Sequence, residues 1–238
     1  MFISNYYKGL TLLEMTMVLL IISILFAGLL SPLHAQMKAQ KYKTTQKRLE
    51  MAIDAIIGFA IIHGRLPCPA KATLMTGVEQ AGEEALTNDS CDDDFGVLPW
   101  VTLSVPELDA WQHRFSYRVT AKFADTIAET SCDNQSTTSF ALCSTGNLTV
   151  NTTMNSGYKL AKQLPAVVVS HGENGDGAYL ASGQQLLLVN HDVDEHQNFK
   201  KQVNFVDAHL DNANFDDLLA WVSPNILAYR LVQAGVLP

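Results

Sequence analysis

The sequence predicts an α+β fold in which a long N-terminal α-helix packs on an antiparallel β-sheet and a short helix closes the C-terminus. Three observations carry this. Met15 to Leu33 holds no charged residue, and Gln36 to Ile62 continues with few helix breakers. Beyond Pro67 the chain turns to short alternating or β-branched runs separated by Gly, Asn and Asp clusters, which mark strands and turns. A final apolar run restarts at Pro224 and continues toward Gln233.

The uncharged stretch corresponds to roughly 28 Å of helix, close to the hydrocarbon thickness of a bilayer. Residues 10–35 are therefore expected to be transmembrane. The apolar core is too long for a cleaved secretory signal, and Leu33-His34-Ala35 makes a poor signal-peptidase site. Residues 36–64 read as an amphipathic continuation, because Leu49, Ile53, Ile56 and Ala60 recur at three- and four-residue spacing. Pro32 is expected to bend or loosen the helix. Gly64 and Pro67 supply its stop, so a globular domain is expected over 65–238.

Within that domain Lys71 to Asp94 is polar and rich in Gly and Asp, the composition of a long loop. Arg114 to Val119 alternates and predicts a strand. Further strands are predicted at 147–153, 166–170 and 184–190. The Val167-Val168-Val169 run suits a central strand. "HGENGDGAY" is a turn cluster, so the last two strands are expected to pair antiparallel. Near the end, Asn214-Phe215-Asp216-Asp217 resembles a helix N-terminus, with Asn214 as cap and two carboxylates at the positive end of the dipole.

Charge is unevenly spread in a chain of net charge -8. Up to Leu49 there are six Lys/Arg and one acid; afterwards there are ten Lys/Arg and twenty-three acids. An acidic body argues against nucleic acid as its partner, since phosphate neutralisation needs clustered cations. Cys68, Cys91, Cys132 and Cys143 form no CxxC pair, which argues against zinc ribbons and thioredoxin-like redox sites. An even count favours disulfides in an oxidising compartment. Three connectivities are open; Cys68–Cys91 and Cys132–Cys143 are favoured because both close short local loops. The basic residues after the apolar run would place the body in the cytoplasm by the positive-inside rule, whereas the cysteines place it outside. The cysteines are given precedence.

Catalytic chemistry finds little support. Ser170-His171-Gly172 lacks the first glycine of a nucleophile elbow, having Val168 there. His191 and His196 bracket three acids at a spacing poor for one helix face, so an exposed loop is expected. Calcium, which takes six to eight oxygens from a flexible loop, has two candidate clusters: Asp92, Asp93 and Asp94, and Glu173, Asn174 and Asp176. No metal ligand is assigned and no cofactor is required.

Glu14 is the anomaly at the head of the apolar run. An ionised side chain deep in a bilayer costs roughly 2.5–3.5 kcal/mol, so a partner is expected. Gly9-Leu10-Thr11-Leu12-Leu13-Glu14, preceded by a short leader carrying Lys8 and leading directly into the apolar run, resembles the type IV prepilin signature. Type IV pilins and type II secretion pseudopilins share this start. The resemblance implies a leader over 1–9, cutting between Gly9 and Leu10 by a membrane prepilin peptidase, and N-methylation of the new Leu10 amine. It implies that Glu14 pairs with the amine of a neighbouring subunit.

The implied protein is a structural subunit, not an enzyme. It is a minor pilin or pseudopilin, single-pass in the bacterial inner membrane with its C-terminal domain in the periplasm, then part of a pilus or pseudopilus fibre. Its implied partners are the peptidase, other pilin or pseudopilin subunits, an inner-membrane assembly platform, and the lipid bilayer before assembly. Asp109-Ala110-Trp111 is also similar to a pseudopilin feature, Asp-x-Trp-Gly before a first strand ending in Tyr. Gln112 stands in place of the glycine, which puts the tight turn in question but not the strand. The alternative reading is a membrane-anchored or secreted periplasmic binding protein or enzyme whose N-terminus only resembles a prepilin.

Overall fold

The computed structural model describes residue 9 and residues 11–129, 138–154, 158–187, 193–208 and 215–238, with backbone alone for 26–33. The chain divides into two compact units, residues 1–43 and 44–238. Helix α1 (Leu12–His63) runs through Pro32 without ending there. Proline removes one hydrogen bond, but the flanking Leu, Ala and Met are strong helix formers.

The first unit contains the apolar start of α1. Leu12, Leu13, Met17, Leu19, Leu20, Ile21 and Ile24 are all exposed, so the described side chains of this segment are apolar around its circumference. Among the described residues, no helix is long and apolar enough to cross a membrane. The expected transmembrane span, residues 10–35, lies only in part among them. Side chains are described only to Leu25, and residues 26–33, the second half of the expected span, lie outside the described side chains.

In the second unit α1 becomes a packing helix. Thr45, Leu49, Ala52, Ile56, Phe59 and Ala60 are buried on one face, as the spacing predicts, each large aliphatic contributing about 1.5–3 kcal/mol. The helix ends at Gly64, whose φ of +67° is the left-handed conformation a C-terminal glycine supplies. The Gly64 amide donates to Ala60 O at 2.9 Å.

The helix covers a four-stranded sheet of β3 (Phe95–Val97), β4 (Ser116–Val119), β7 (Ala166–Ser170) and β9 (Leu218–Val222), in the order β3-β4-β7-β9 and wholly antiparallel. All five residues of β7 are buried, and alternation explains why. Ala166 and Val168 pack with Ile56, Tyr117, Val222 and the C-terminal helix residues Leu227 and Leu231. Val167 and Val169 face the other way, against Leu148, Val150, Leu164 and Phe205. Those belong to a second sheet, β6-β5-β8, of β5 (Leu148–Asn151), β6 (Lys159–Leu164) and β8 (Asn204–Val206). Strand β5 pairs antiparallel with β6 but parallel with β8. The unit is thus layered as helix, sheet and sheet, with β7 central.

Two expectations are corrected. Of the strand expected over 184–190, the described residues 184–187 do not pair with β7. Its edges are taken by β4 and β9, Gln185 makes only an isolated bridge to Tyr179, and residues 188–192 lie outside the described residues. Nor do Asp216 and Asp217 start a helix. The apolar residues after them form β9, which completes the edge of β7, and the terminal helix α4 begins only at Pro224 (Pro224–Gln233). Asn214 lies outside the described residues.

The expected loop 71–94 contains a small hairpin, β1 (Leu86–Thr87) with β2 (Ser90–Cys91). Its turn residues Asn88 and Asp89 both have positive φ, 49° and 66°, as a two-residue hairpin requires. The hairpin carries Cys91 to Cys68, and the two are disulfide-bonded as expected. Cys143 is also disulfide-bonded; its expected partner, Cys132, lies outside the described residues.

The largest fully buried side chain among the described residues is Arg114, which sequence reasoning read only as a strand residue. Its Nε donates to Glu107 Oε1 at 2.9 Å. Nη1 donates to Ala72 O and Leu74 O at 2.9 and 2.8 Å. Nη2 donates to Thr76 Oγ1 and Ala181 O at 3.0 and 3.1 Å. The guanidinium also lies 4.6 Å from the Trp100 ring centroid, Trp100 opening the short helix α2 (Trp100–Leu103). A fully buried side chain with every donor engaged thereby ties three loops to the start of β4.

Candidate functional site

The candidate processing site lies at the head of α1. Leu10 lies outside the described residues; Gly9, Thr11 and Glu14 are exposed. Thr11 precedes the first helical residue and Glu14 sits in the first turn. The Glu14 amide donates to Thr11 Oγ1 at 3.3 Å, and the Thr11 amide donates to Glu14 Oε2 at 3.4 Å. This reciprocal arrangement is a capping box, which satisfies two of the four orphan amides of a helix start. The carboxylate also meets the positive end of the helix dipole there.

Gly9 is not demanded by the fold. A Cβ placed on it would meet nothing within 4 Å, and its φ is not left-handed.

The Asp-x-Trp turn forms despite Gln112. The Asp109 Oδ1 accepts from the Trp111 and His113 amides at 2.9 Å each. Its Oδ2 accepts from Ser170 Oγ at 2.6 Å. Gln112 supplies the left-handed residue itself, at φ +74°. The turn questioned on sequence is present, with an exposed glutamine in a conformation that glycine adopts without strain.

Ser170, considered as a nucleophile, is committed to Asp109. His171 instead meets Ser116, with Nε2 2.7 Å from Ser116 Oγ, while its Nδ1 lies 3.7 Å from Asp217 Oδ1. Ser116, His171 and Asp217 are all buried, so the Ser116 hydroxyl is closed to a substrate.

The aspartates of residues 92–94 do not converge on one point. Asp92 pairs with Lys71 at 3.0 Å, Asp93 with Lys201 at 2.7 Å and Asp94 with Arg118 at 2.8 Å. The Thr87 hydroxyl and Lys71 hold Asp92 below the usual carboxylate range. Burial works to raise Asp93, but Lys201 and the Phe95 amide hold it low.

A second acidic group does converge, and sequence reasoning missed it. Glu195, in the short helix α3 (Glu195–Asn198), meets Asp216 and Asp217, with one oxygen from each within 4.8 Å of the others. Burial, then the Asp217 and Asp216 charges, push Glu195 up to about 7. Burial likewise raises Asp216. Of the expected calcium ligands, Asn174 joins this group through Nδ2, 3.0 Å from Glu195 Oε2, while Glu173 contributes its backbone amide to Asp216 Oδ2 at 2.7 Å. Asp176 donates its amide to Asn174 Oδ1 at 2.9 Å. Glu195 belongs to the segment expected to be an exposed loop, and His191 of that segment lies outside the described residues.

Comparison with known proteins gives a family match at residues 4–30: the prokaryotic N-terminal methylation motif. No curated protein and no solved structure matches the chain. The motif implies processing by a prepilin peptidase, membrane anchoring and assembly with other pilin subunits. It covers Gly9, Thr11 and Glu14, whose geometry is described above. Residues 4–30 carry the prepilin-type signal of type IV pilins and pseudopilins.

Proposed function

We propose that this chain is a minor pilin or pseudopilin, a structural subunit with no catalytic role. It is cut between Gly9 and Leu10, methylated on Leu10, and drawn from the bacterial inner membrane into a pilus-like fibre, its C-terminal domain having faced the periplasm. The observation that carries this is the placement of Glu14: one carboxylate, exposed in the first helical turn, five residues beyond Gly9 and followed by an exposed apolar helix surface. Cleavage would create a cationic amine near that carboxylate. Two desolvated charges of opposite sign on neighbouring subunits attract strongly, and removing one partner is far costlier than removing a surface pair. The same charge that disfavours isolation in lipid then favours lateral assembly.

The acidic body with its Cys68–Cys91 staple suits an extracytoplasmic compartment. Its size, the Cys68–Cys91 staple and the Asp-rich loop over 71–94 support a minor subunit over a major one. Mass spectrometry of the mature N-terminus tests the reading. A start at methylated Leu10, lost in Gly9→Val, is the expected outcome. A side chain at this position meets no obstacle in the fold itself, so an unprocessed Gly9→Val precursor reports recognition rather than misfolding. An intact Met1 in cells with active peptidase, or a start at Gln36, would overturn it in favour of an anchored or secreted binding protein or enzyme.

A further inference from the structure

We propose that Glu195, Asp216 and Asp217, with His171 at their border, form a site for a divalent transition-metal ion of the Zn2+ or Mn2+ class. The site is assembled by strand register. Ser170 at the end of β7 pairs with Leu218 at the start of β9, so the next residues outward, His171 and Asp217, face each other. Asp216 follows on the same approach to β9, and α3 brings Glu195 against both.

Each carboxylate is already oriented. Asn198 Nδ2 donates to Asp217 Oδ2 at 2.8 Å. The Glu173 and Asn174 amides donate to Asp216 Oδ2 at 2.7 and 2.8 Å. Asn174 Nδ2 and the Asp216 amide donate to Glu195 Oε2 and Oε1, both at 3.0 Å. Oxygens held about 2.0–2.2 Å from a metal lie at most ~4.4 Å apart. The observed limit of 4.8 Å therefore leaves a closure of a few tenths of an ångström.

One buried atom with no hydrogen-bond partner lies outside the three carboxylates and points to a ligand: His171 Nδ1, whose residue is 0% exposed; within the group, Asp216 Oδ1 has none either. The His171 Nδ1 lies 3.7 Å from Asp217 Oδ1, too far for a hydrogen bond but the spacing of two ligands sharing one ion at ordinary bond lengths. In the tautomer that donates Nε2–H to Ser116 Oγ, the Nδ1 lone pair faces Asp217. An outer hydrogen bond of this kind is what fixes metal-ligating imidazoles.

Asp92, Asp93 and Asp94 behave differently. Each of those has its own lysine or arginine, whereas neither Asp216 nor Asp217 meets one among the described residues. An imidazole beside carboxylates favours zinc or manganese over calcium, which takes oxygen alone. The ion would clamp the 171–177 turn, α3 and the entry to β9, a structural role independent of the pilin reading.

The test is titration calorimetry on the full-length, tag-free protein in detergent, stripped with chelator and dialysed, using zinc, manganese and calcium chloride separately. One site per chain, at least tenfold tighter for zinc or manganese than for calcium, is expected, with a rise in apparent Tm. Asp216→Asn retains an oxygen to accept the Glu173 and Asn174 amides and should weaken binding at least tenfold. Glu195→Gln should do the same and serves if the first variant does not fold. Absence of saturable zinc or manganese binding, tighter binding of calcium, or unchanged affinity in a folded variant would overturn the proposal.

Discussion

Thr11 and Glu14 each hydrogen-bond the other's backbone amide, so the Glu14 carboxylate has an intramolecular occupation before any neighbour arrives. Capping and charge are therefore two separable reasons for a glutamate here. Glutamine caps as glutamate does but cannot neutralise a cationic amine. Glu14→Gln is expected to enter the membrane and to be processed, yet to be recovered in sheared fibres at least tenfold below wild type, as for Glu14→Ala. Thr11→Ala loses a cap worth about 0.5–2 kcal/mol but keeps the charge, and should remain within a few-fold of wild type. Fibre immunoblots against membrane fractions give the readout. Normal incorporation of Glu14→Gln would assign Glu14 to capping alone.

Arg114 holds its site through geometry as much as charge. Its five donors reach Glu107, Ala72, Leu74, Thr76 and Ala181 while its plane stacks on Trp100. Lysine offers three donors on a point charge and cannot reproduce a planar fork. Arg114→Lys keeps the charge but leaves buried carbonyls without donors, and should therefore destabilise by about 1–3 kcal/mol, seen as a lower urea midpoint. A loss under about 1 kcal/mol would show the loop carbonyls to be satisfied by other means.

Legibility followed the range of each signal. The helix stripe ending at Gly64 and the doubly apolar β7 were readable because periodicity and a glycine stop are local properties. Leu218 to Val222 misled because two aspartates before an apolar run suit a helix start equally well; the open edge of β7, nearly fifty residues earlier, decides for a strand. Gln184 to Leu187 failed for the mirror reason, since both edges of β7 were already occupied by partners distant in sequence. Glu195 and Asp216–Asp217 are likewise separated by about twenty residues, and no spacing rule joins them. At the N-terminus, by contrast, the prepilin-type signal rests on six consecutive residues, so the motif is legible from a local run alone.

Gln112 occupies a left-handed conformation at φ +74° while its side chain is exposed. Non-glycine residues there carry roughly 1–2 kcal/mol of strain, against which glycine gives back part through the entropy of the unfolded chain. Gln112→Gly should stabilise the fold by about 0.5–1 kcal/mol, or a Tm increase of roughly 1–4 °C for a domain of this size. Gln112→Ala, which keeps the strain and loses only exposed atoms, should be neutral. Equal behaviour of the two variants in thermal unfolding would remove strain as the explanation.

Tyr117 is fully buried in β4 and its hydroxyl donates to Pro67 O at 3.1 Å. Burial, followed by the nearby Glu84 charge, holds its phenol well above the ordinary value of 10.0. The unfolded tyrosine ionises near 10, so above that pH the unfolded state loses a proton that the folded state keeps. The stabilisation is intact below the unfolded value and is lost as pH rises toward the raised folded one, by up to about 1.4 kcal/mol per pH unit. Tyr117→Phe removes this ionisation together with the hydrogen bond. At pH 7 the variant should be less stable by about 1 kcal/mol, since Pro67 O loses its donor. Above pH 10 that deficit should shrink and then reverse, because only the wild type is pulled open by phenolate formation. Urea unfolding of both proteins at pH 7, 9, 10.5 and 11 reads the crossing directly, and a deficit that stays constant across the series would show that Tyr117 ionises without unfolding its strand.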